Sequence, residues 1–214
     1  MKIEVNDLCK SFKNDTVITD INLTFESGKI YGLYGRNGSG KSVFLKLLCG
    51  IYLPSSGNVL FDGVNYNELG DYPKDVRVLI EKPVFFPNMT GYDNLKILAD
   101  IQNKIGESEI AFALDVVNLF EERDKKFCKY SLGMKQKLGI AQVIMENPSV
   151  MIFDEPFNGI EIDSVRKIIN YLKEEKKKGK IIIVSTHIKD DLNELADEII
   201  YFDNGKILEY DRNA

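Results

Sequence analysis

The eight residues Gly35-Arg36-Asn37-Gly38-Ser39-Gly40-Lys41-Ser42 constrain the fold more than any other stretch of the chain. A short apolar run, Ile30 to Tyr34, precedes them and has the character of a buried strand. Val43-Phe44-Leu45-Lys46-Leu47-Leu48 follows with helical spacing, and Gly50 supplies a stop. Strand, glycine loop and helix joined by G-x-x-x-x-G-K-S form a phosphate-binding P-loop. Several backbone N–H groups must meet one phosphate at once, so the chain curls tightly with no side chain in the way. Gly35, Gly38 and Gly40 permit this because they lack a Cβ. The helix starting near Lys41 aims unpaired N–H groups and the positive end of its dipole at the anion. That dipole contact is worth roughly 0.3–1 kcal/mol. An ammonium about 4 Å from a phosphate charge interacts by about 4 kcal/mol at an effective dielectric near 20. Lys41 is therefore the largest single side-chain contribution, and the amides supply shape. Gly35, Arg36, Asn37, Gly38, Ser39, Gly40, Lys41, Ser42 and Val43 make up the candidate phosphate-holding set. Ser42 can also offer its hydroxyl to a phosphate-bound Mg²⁺.

The 214 residues suffice for one large α/β domain, with or without an inserted subdomain, and a hydrophobic content of 44% can fill its core. No apolar run approaches the ~18–20 residues that cross a bilayer. Met1-Lys2-Ile3-Glu4-Val5 alternates polar and apolar residues and lacks the features of a signal peptide. A net charge of -5 argues against nucleic acid as the main partner. Cys9, Cys49 and Cys128 show no metal-ligand spacing and are expected to be small core residues in a reducing cytosol.

Residues 1–26 alternate apolar and polar positions (Ile3, Val5, Leu8; then Ile18, Ile21, Leu23, Phe25), which predicts antiparallel strands. Phe12 lies among them, and its ring suits either core packing or stacking on an adenine base. Ser55-Ser56-Gly57 is a turn before a strand at Val59–Phe61, and Val76–Ile80 is a further strand ending at Glu81-Lys82-Pro83. The following loop carries Phe85 and Phe86, suited to a plug between subdomains or to a docking surface. Helical spacing then runs from about 92 to 120. Residues 83–146 are expected to form a helical subdomain inserted into an α/β core made of 1–82 and 147–214.

Ser131 occupies an N-cap position before a helical pattern through Leu138, Ala141 and Met145. Val150–Phe153 is a buried strand ending in Asp154-Glu155-Pro156. Two carboxylates at a strand's C-terminal end are poorly explained by packing. They suit Mg²⁺ binding and a catalytic base, because ligands of parallel α/β sheets bind at that edge. Val165–Lys178 is a helix whose terminal lysines are expected to be solvated and to complement its dipole. Ile181–Val184 delivers Ser185-Thr186-His187, which puts the only histidine at the same sheet edge as Asp154 and Glu155. Glu198–Phe202, the turn Asp203-Asn204-Gly205-Lys206, and Ile207–Glu209 form a closing hairpin.

The P-loop, Ser131-x-Gly133, Asp154-Glu155-Pro156 and His187, in this order and spacing, resemble the ATP-binding subunits of ABC transporters over essentially the whole chain. Ile80-Glu81-x-Pro83 and Tyr130-Ser131-Leu132-Gly133-Met134 are similar to the branch that exports peptide antibiotics, including bacitracin and lantibiotic self-protection systems. The resemblance implies an α/β P-loop NTPase (RecA-like) core with an N-terminal antiparallel β subdomain and an inserted helical subdomain. It implies ATP and Mg²⁺ as ligands, with Phe12 stacking on adenine and Gly35 to Ser42 holding the phosphates and the metal. Asp154 would hold Mg²⁺ through water, Glu155 would activate the attacking water, and His187 would contact the γ-phosphate. Ser131 and Gly133 would face the γ-phosphate of ATP held by a second copy.

Three positions depart from the family pattern. Glu81 stands where most of the family has glutamine. A carboxylate there can ligate Mg²⁺ or accept a hydrogen bond, but when ionised it cannot donate one. Leu132 and Met134 replace the usual glycine and glutamine of the signature loop, and Glu161 stands where aspartate is usual. The implied assembly is a pair of copies closing head-to-tail over two Mg-ATP. It would be attached to an integral-membrane permease subunit on the inner face of the cell membrane, with no nucleic acid involved. The competing expectation is a soluble ABC-type regulatory ATPase, which would call for a second ATPase domain, a coiled-coil insertion or a basic surface.

Overall fold

Buried strands in this chain are continuous apolar runs where both sides are covered, and alternating runs where one side is wet. The computed structural model describes residues 1–13 and 15–211. In order, the elements are β1 (Lys2–Phe12), β2 (Asp15–Glu26), β3 (Lys29–Tyr34), α1 (Lys41–Leu48), β4 (Ser56–Phe61), α2 (Tyr66–Leu69), β5 (Val76–Leu79) and α3 (Gly91–Gln102). They continue with α4 (Glu107–Val116), α5 (Leu132–Ile144), β6 (Val150–Asp154), α6 (Ile162–Lys177), β7 (Ile181–Thr186), α7 (Lys189–Leu195), β8 (Glu198–Asp203) and β9 (Lys206–Asp211).

The alternating strands form an antiparallel sheet in the order β2-β1-β4. The apolar runs form a second sheet in the order β5-β6-β7-β3-β8-β9, parallel through β8, with β9 antiparallel at its edge. Side-chain parity sorts this second sheet between two cores. Ile181 and Ile183 of β7, with Val150 and Ile152 of β6, pack with Phe25 of the antiparallel sheet and Phe44 of α1. Ile182, Val184, Met151 and Phe153 point the other way, into Leu138, Ile168 and Leu172 of the helices. The parallel sheet is thus the middle layer, with β1, β2, β4 and α1 on one side and α3 to α6 on the other. That agrees with the expected P-loop core, β layer and helical part.

Several local expectations need correction. Cys49 is buried, but Cys9 is only half-buried and Cys128 is exposed. Cys128 lies in a single 3-10 turn, Phe127–Lys129, where Phe127 takes the buried position. The lysines ending α6 are not simply solvated. Glu175 is buried and draws in Lys178 at 2.5 Å and Lys180 at 2.6 Å, while Lys176 pairs with Asp197 at 2.7 Å. Phe85 and Phe86 divide the two roles, Phe85 packing edge-on against Phe127 at 5.3 Å and Phe86 lying exposed. Two short helices, α2 and α7, carry too little periodicity to be foreseen. α7 is fixed by Leu192, which lies against Gly32 of β3. A Cβ there would sit 2.8 Å from Leu192 Cδ1.

Candidate active site

β3 leads into a loop that only glycine can complete at two points. Gly38 and Gly40 have φ of 82° and 104°, the left-handed region that other residues avoid. Gly35 answers a different need, since a Cβ there would lie 2.4 Å from the Phe202 carbonyl oxygen. Lys41 is 5% exposed and arches back over the loop. Its Nζ donates to the carbonyl oxygens of Gly35 at 2.6 Å and Arg36 at 3.2 Å. Burial pulls its amine below the ordinary lysine value, and the charges of Glu155 and Asp154 oppose this in part. The Ser39 hydroxyl is buried within the loop without a hydrogen-bond partner among the described residues.

The parity that sorts the core also aims the carboxylates. Asp154 follows Val150 and Ile152 toward α1, and pairs in register with Ser185 of β7. Its Oδ2 accepts from Ser42 Oγ at 2.5 Å, and its Oδ1 accepts from Ser185 Oγ. Glu155 has a φ of 49°, so the chain turns there. Its N–H donates to the Ser185 carbonyl at 2.9 Å, and its Oε1 lies 2.8 Å from His187 Nδ1. Gln136 of α5 donates from Nε2 to the Glu155 carbonyl at 3.1 Å. Glu81, Leu132, Gln136, Asp154 and Glu155 line one open cleft of about 680 Å³.

Lys41, Ser42, Asp154, Glu155 and His187, widely spaced in sequence, therefore converge. Glu81 stands at the rim with a φ of 65° and an ion pair to Lys46. Ser131 caps α5, accepting from the Met134 N–H at 3.2 Å. Gly133 presses against the loop after Glu155, where a Cβ would meet the Gly159 oxygen at 2.2 Å. Phe12 stands apart from the carboxylates, 39% exposed and edge-on to Tyr52 at 5.4 Å. Sequence reasoning passed over Gln136, Lys46 and the hydroxyl of Ser185. Only Ser185, a polar residue ending an apolar strand, left a signal that could have been used.

The donor set suits a hard cation carried in on phosphate. Ser42 and Asp154 provide oxygen ligands, of the type magnesium takes. No group of three His, Cys, Asp or Glu among the described residues could hold a metal unaided, so phosphate and water oxygens would have to complete the shell.

A P-loop at the C-terminal edge of a parallel sheet, with a Ser–Asp pair below it and a Glu–His pair beside it, defines a P-loop nucleoside triphosphatase. The ABC transporter family model matches residues 18–158. The chain is 40% identical to a bacitracin transport ATP-binding protein, BcrA, of Enterococcus faecalis, over 97% of this chain and 68% of that one. It is 33% identical to a lantibiotic transport ATP-binding protein, SrtF, of Streptococcus pyogenes, over 98% and 91%. A solved ATP-binding subunit of an ABC transporter superposes with a TM-score of 0.89 at 26% identity, covering 99% of this chain and 90% of that one. The chain belongs to the ABC transporter family, as an ATP-binding ATPase domain.

Proposed function

We propose that this chain powers export of a peptide antibiotic or related drug through a separate membrane-spanning permease, working as a pair of copies at the inner face of the cell membrane. No helix among the described residues is long and apolar enough to cross a membrane, and the permease reading rests on the transport ATP-binding relatives. Residues 83–146 would move as a helical subdomain against a core of 1–82 and 147–214.

The observation that carries the reading is the 2.8 Å contact between Glu155 and His187, at the edge where Lys41 and the Ser42–Asp154 pair also lie. Phosphoryl transfer depends mostly on positioning and charge stabilisation. Gly35 to Val43 would bind the phosphates, with Lys41 exchanging its loop carbonyls for phosphate oxygens. Phe12 would support the base on its exposed face. Ser42 and Asp154 would hold Mg²⁺, while Glu81, ion-paired to Lys46 at the rim, would not be needed as a ligand. When bound, the ion would neutralise phosphate charge. Glu155 would take the proton of the attacking water, and His187 would orient that carboxylate and face the terminal phosphate. Ser131 and Gly133 would cover the site of the other copy. Leu132 beside them is 62% exposed, as a surface awaiting such a neighbour would be.

The test is ATP turnover by the purified chain. Lys41→Ala and Glu155→Gln should each abolish it, and Glu155→Gln should accumulate an ATP-dependent dimer on gel filtration. Full turnover in either variant would overturn the reading.

A further inference from the structure

The cleft presents an electrostatic problem. Glu81, Asp154 and Glu155 all line it, and a triphosphate adds more negative charge. Asp154 is engaged by Ser42 and Ser185, and Glu155 by His187. Glu81, exposed at the rim, has one cationic partner among the described residues: Lys46, one helical turn beyond the P-loop on α1. Lys46 is unusually well held for a surface lysine. Its side chain is only 15% exposed against 66% for Glu81. Its ammonium lies 5.2 Å from the centre of the Tyr52 ring, close enough for a cation–π contact. Tyr52 in turn packs edge-on against Phe12. Glu81 itself has a left-handed backbone, with a φ of 65°, a conformation that persists only where surroundings impose it.

We propose that Lys46 is a positioning residue for the ATPase, neutralising Glu81 and fixing it at the rim of the nucleotide cleft. The inference rests on the ATPase reading above. An ammonium donates up to three hydrogen bonds; Glu81 uses one and the Tyr52 side chain another. The Lys46–Glu81 pair therefore presents a donor beside an acceptor at the rim, which the carboxylate alone cannot. Without Lys46, Glu81 would be neither neutralised nor held in place as phosphate charge redistributes in the transition state, while the bound ground state would be little changed. Removing the carboxylate's charge as well should then undo the damage.

The experiment measures steady-state ATP turnover and thermal midpoints for the full chain. Lys46→Met keeps the apolar stem and removes the charge. It should lower kcat about tenfold while leaving KM for ATP within about twofold, the pattern of an interaction realised in the transition state. Lys46→Arg should retain activity. Adding Glu81→Gln to Lys46→Met should restore kcat to within about threefold of wild type. A purely structural role for Lys46 would lower the thermal midpoint and would not be rescued at position 81. If Lys46→Met does not fold, Lys46→Gln takes its place in the same pairing. Unchanged kcat in the single variant, or a double variant as slow as the single, would overturn the inference. Lys41→Ala in the same assay separates the two levels: its full activity would refute the ATPase reading, whereas its inactivity beside a fully active Lys46→Met would refute only the role of Lys46.

Discussion

Replacing Gly133 with alanine should slow catalysis far more than it weakens the fold. Gly133 is the second residue of α5 and has an ordinary helical backbone, so alanine there gains helix propensity of about 1 kcal/mol. The new Cβ, however, would lie 2.2 Å from the Gly159 carbonyl oxygen and 3.2 Å from its carbon. Both are backbone atoms, so no rotamer change relieves the contact, and helix and loop must part by about 1 Å. Overpacking of this kind costs about 1–3 kcal/mol, so the net loss of stability is about 0–2 kcal/mol. At about 2–4 °C per kcal/mol for a chain of this size, the thermal midpoint should fall by no more than about 8 °C. The displaced segment is the loop that begins at Glu155, which α5 also grips through Gln136 at 3.1 Å. A misplacement of about 1 Å in a catalytic group can reduce rate about 100-fold. ATP binding to a single chain should remain within about threefold of wild type, because the P-loop lies on α1 and not on α5. The assay is turnover alongside equilibrium binding of a fluorescent ATP analogue and thermal unfolding. Wild-type turnover with an unchanged midpoint would refute the packing argument. Loss of single-chain ATP binding equal to the loss of turnover would refute the assignment of the effect to Glu155.

Two further outcomes follow from charges. Burial pushes the Glu175 carboxyl up, but hydrogen bonds from Lys178 and Lys180 outweigh it and hold the group below its usual value. Its stabilisation is thus present above the ordinary glutamate pKa of about 4.3 and lost as pH falls through the lower folded value. Glu175→Gln takes the counter-charge from the buried Lys180, which keeps only the neutral Asn147 oxygen as acceptor, and should cost up to about 3 kcal/mol at neutral pH, seen as a lowered denaturation midpoint, with the gap to wild type closing in acid. The Lys41 amine lies below its ordinary value because it is buried, and phosphate would favour its charged form. ATP affinity measured by calorimetry should therefore fall as pH rises through that depressed value, with proton uptake on binding in the same range. A flat profile in alkaline buffer would contradict it.

Much of this architecture was legible because two kinds of sequence signal are unusually strong here. The apolar runs at Ile30–Tyr34, Val150–Phe153 and Ile181–Val184 are too short for helices and too apolar for one wet face, so they had to be central parallel strands. The loop glycines and Lys41 marked the phosphate end, and strand direction then placed Asp154, Glu155 and His187 at the same edge. What remained hidden depends on tertiary neighbours. Glu175 and Lys180 look like ordinary surface residues of a helix end until Glu175 is found buried. Cys128 is exposed because Phe127 takes the inward place. Gln136 is one polar residue among many on α5, and only the approach of the Glu155 loop gives it a partner. Lys46 sits in a helix whose apolar pattern explains itself, so nothing local announces its pairing with Glu81.

The central strand β7 joins two kinds of fidelity that are usually considered apart. Ile181 and Ile183 go to one side, Ser185 continues the same two-residue rhythm to Asp154, and His187, just past the strand's end, reaches Glu155. Sliding this strand by a single residue would keep aliphatic side chains on both faces, since Ile181 to Val184 are apolar throughout, but it would pull both polar contacts away from the acids. The hydroxyl at the strand's end, and not its oily stretch, is thus what reads the register: a molecule that has mis-threaded its middle strand is also a molecule that cannot fire.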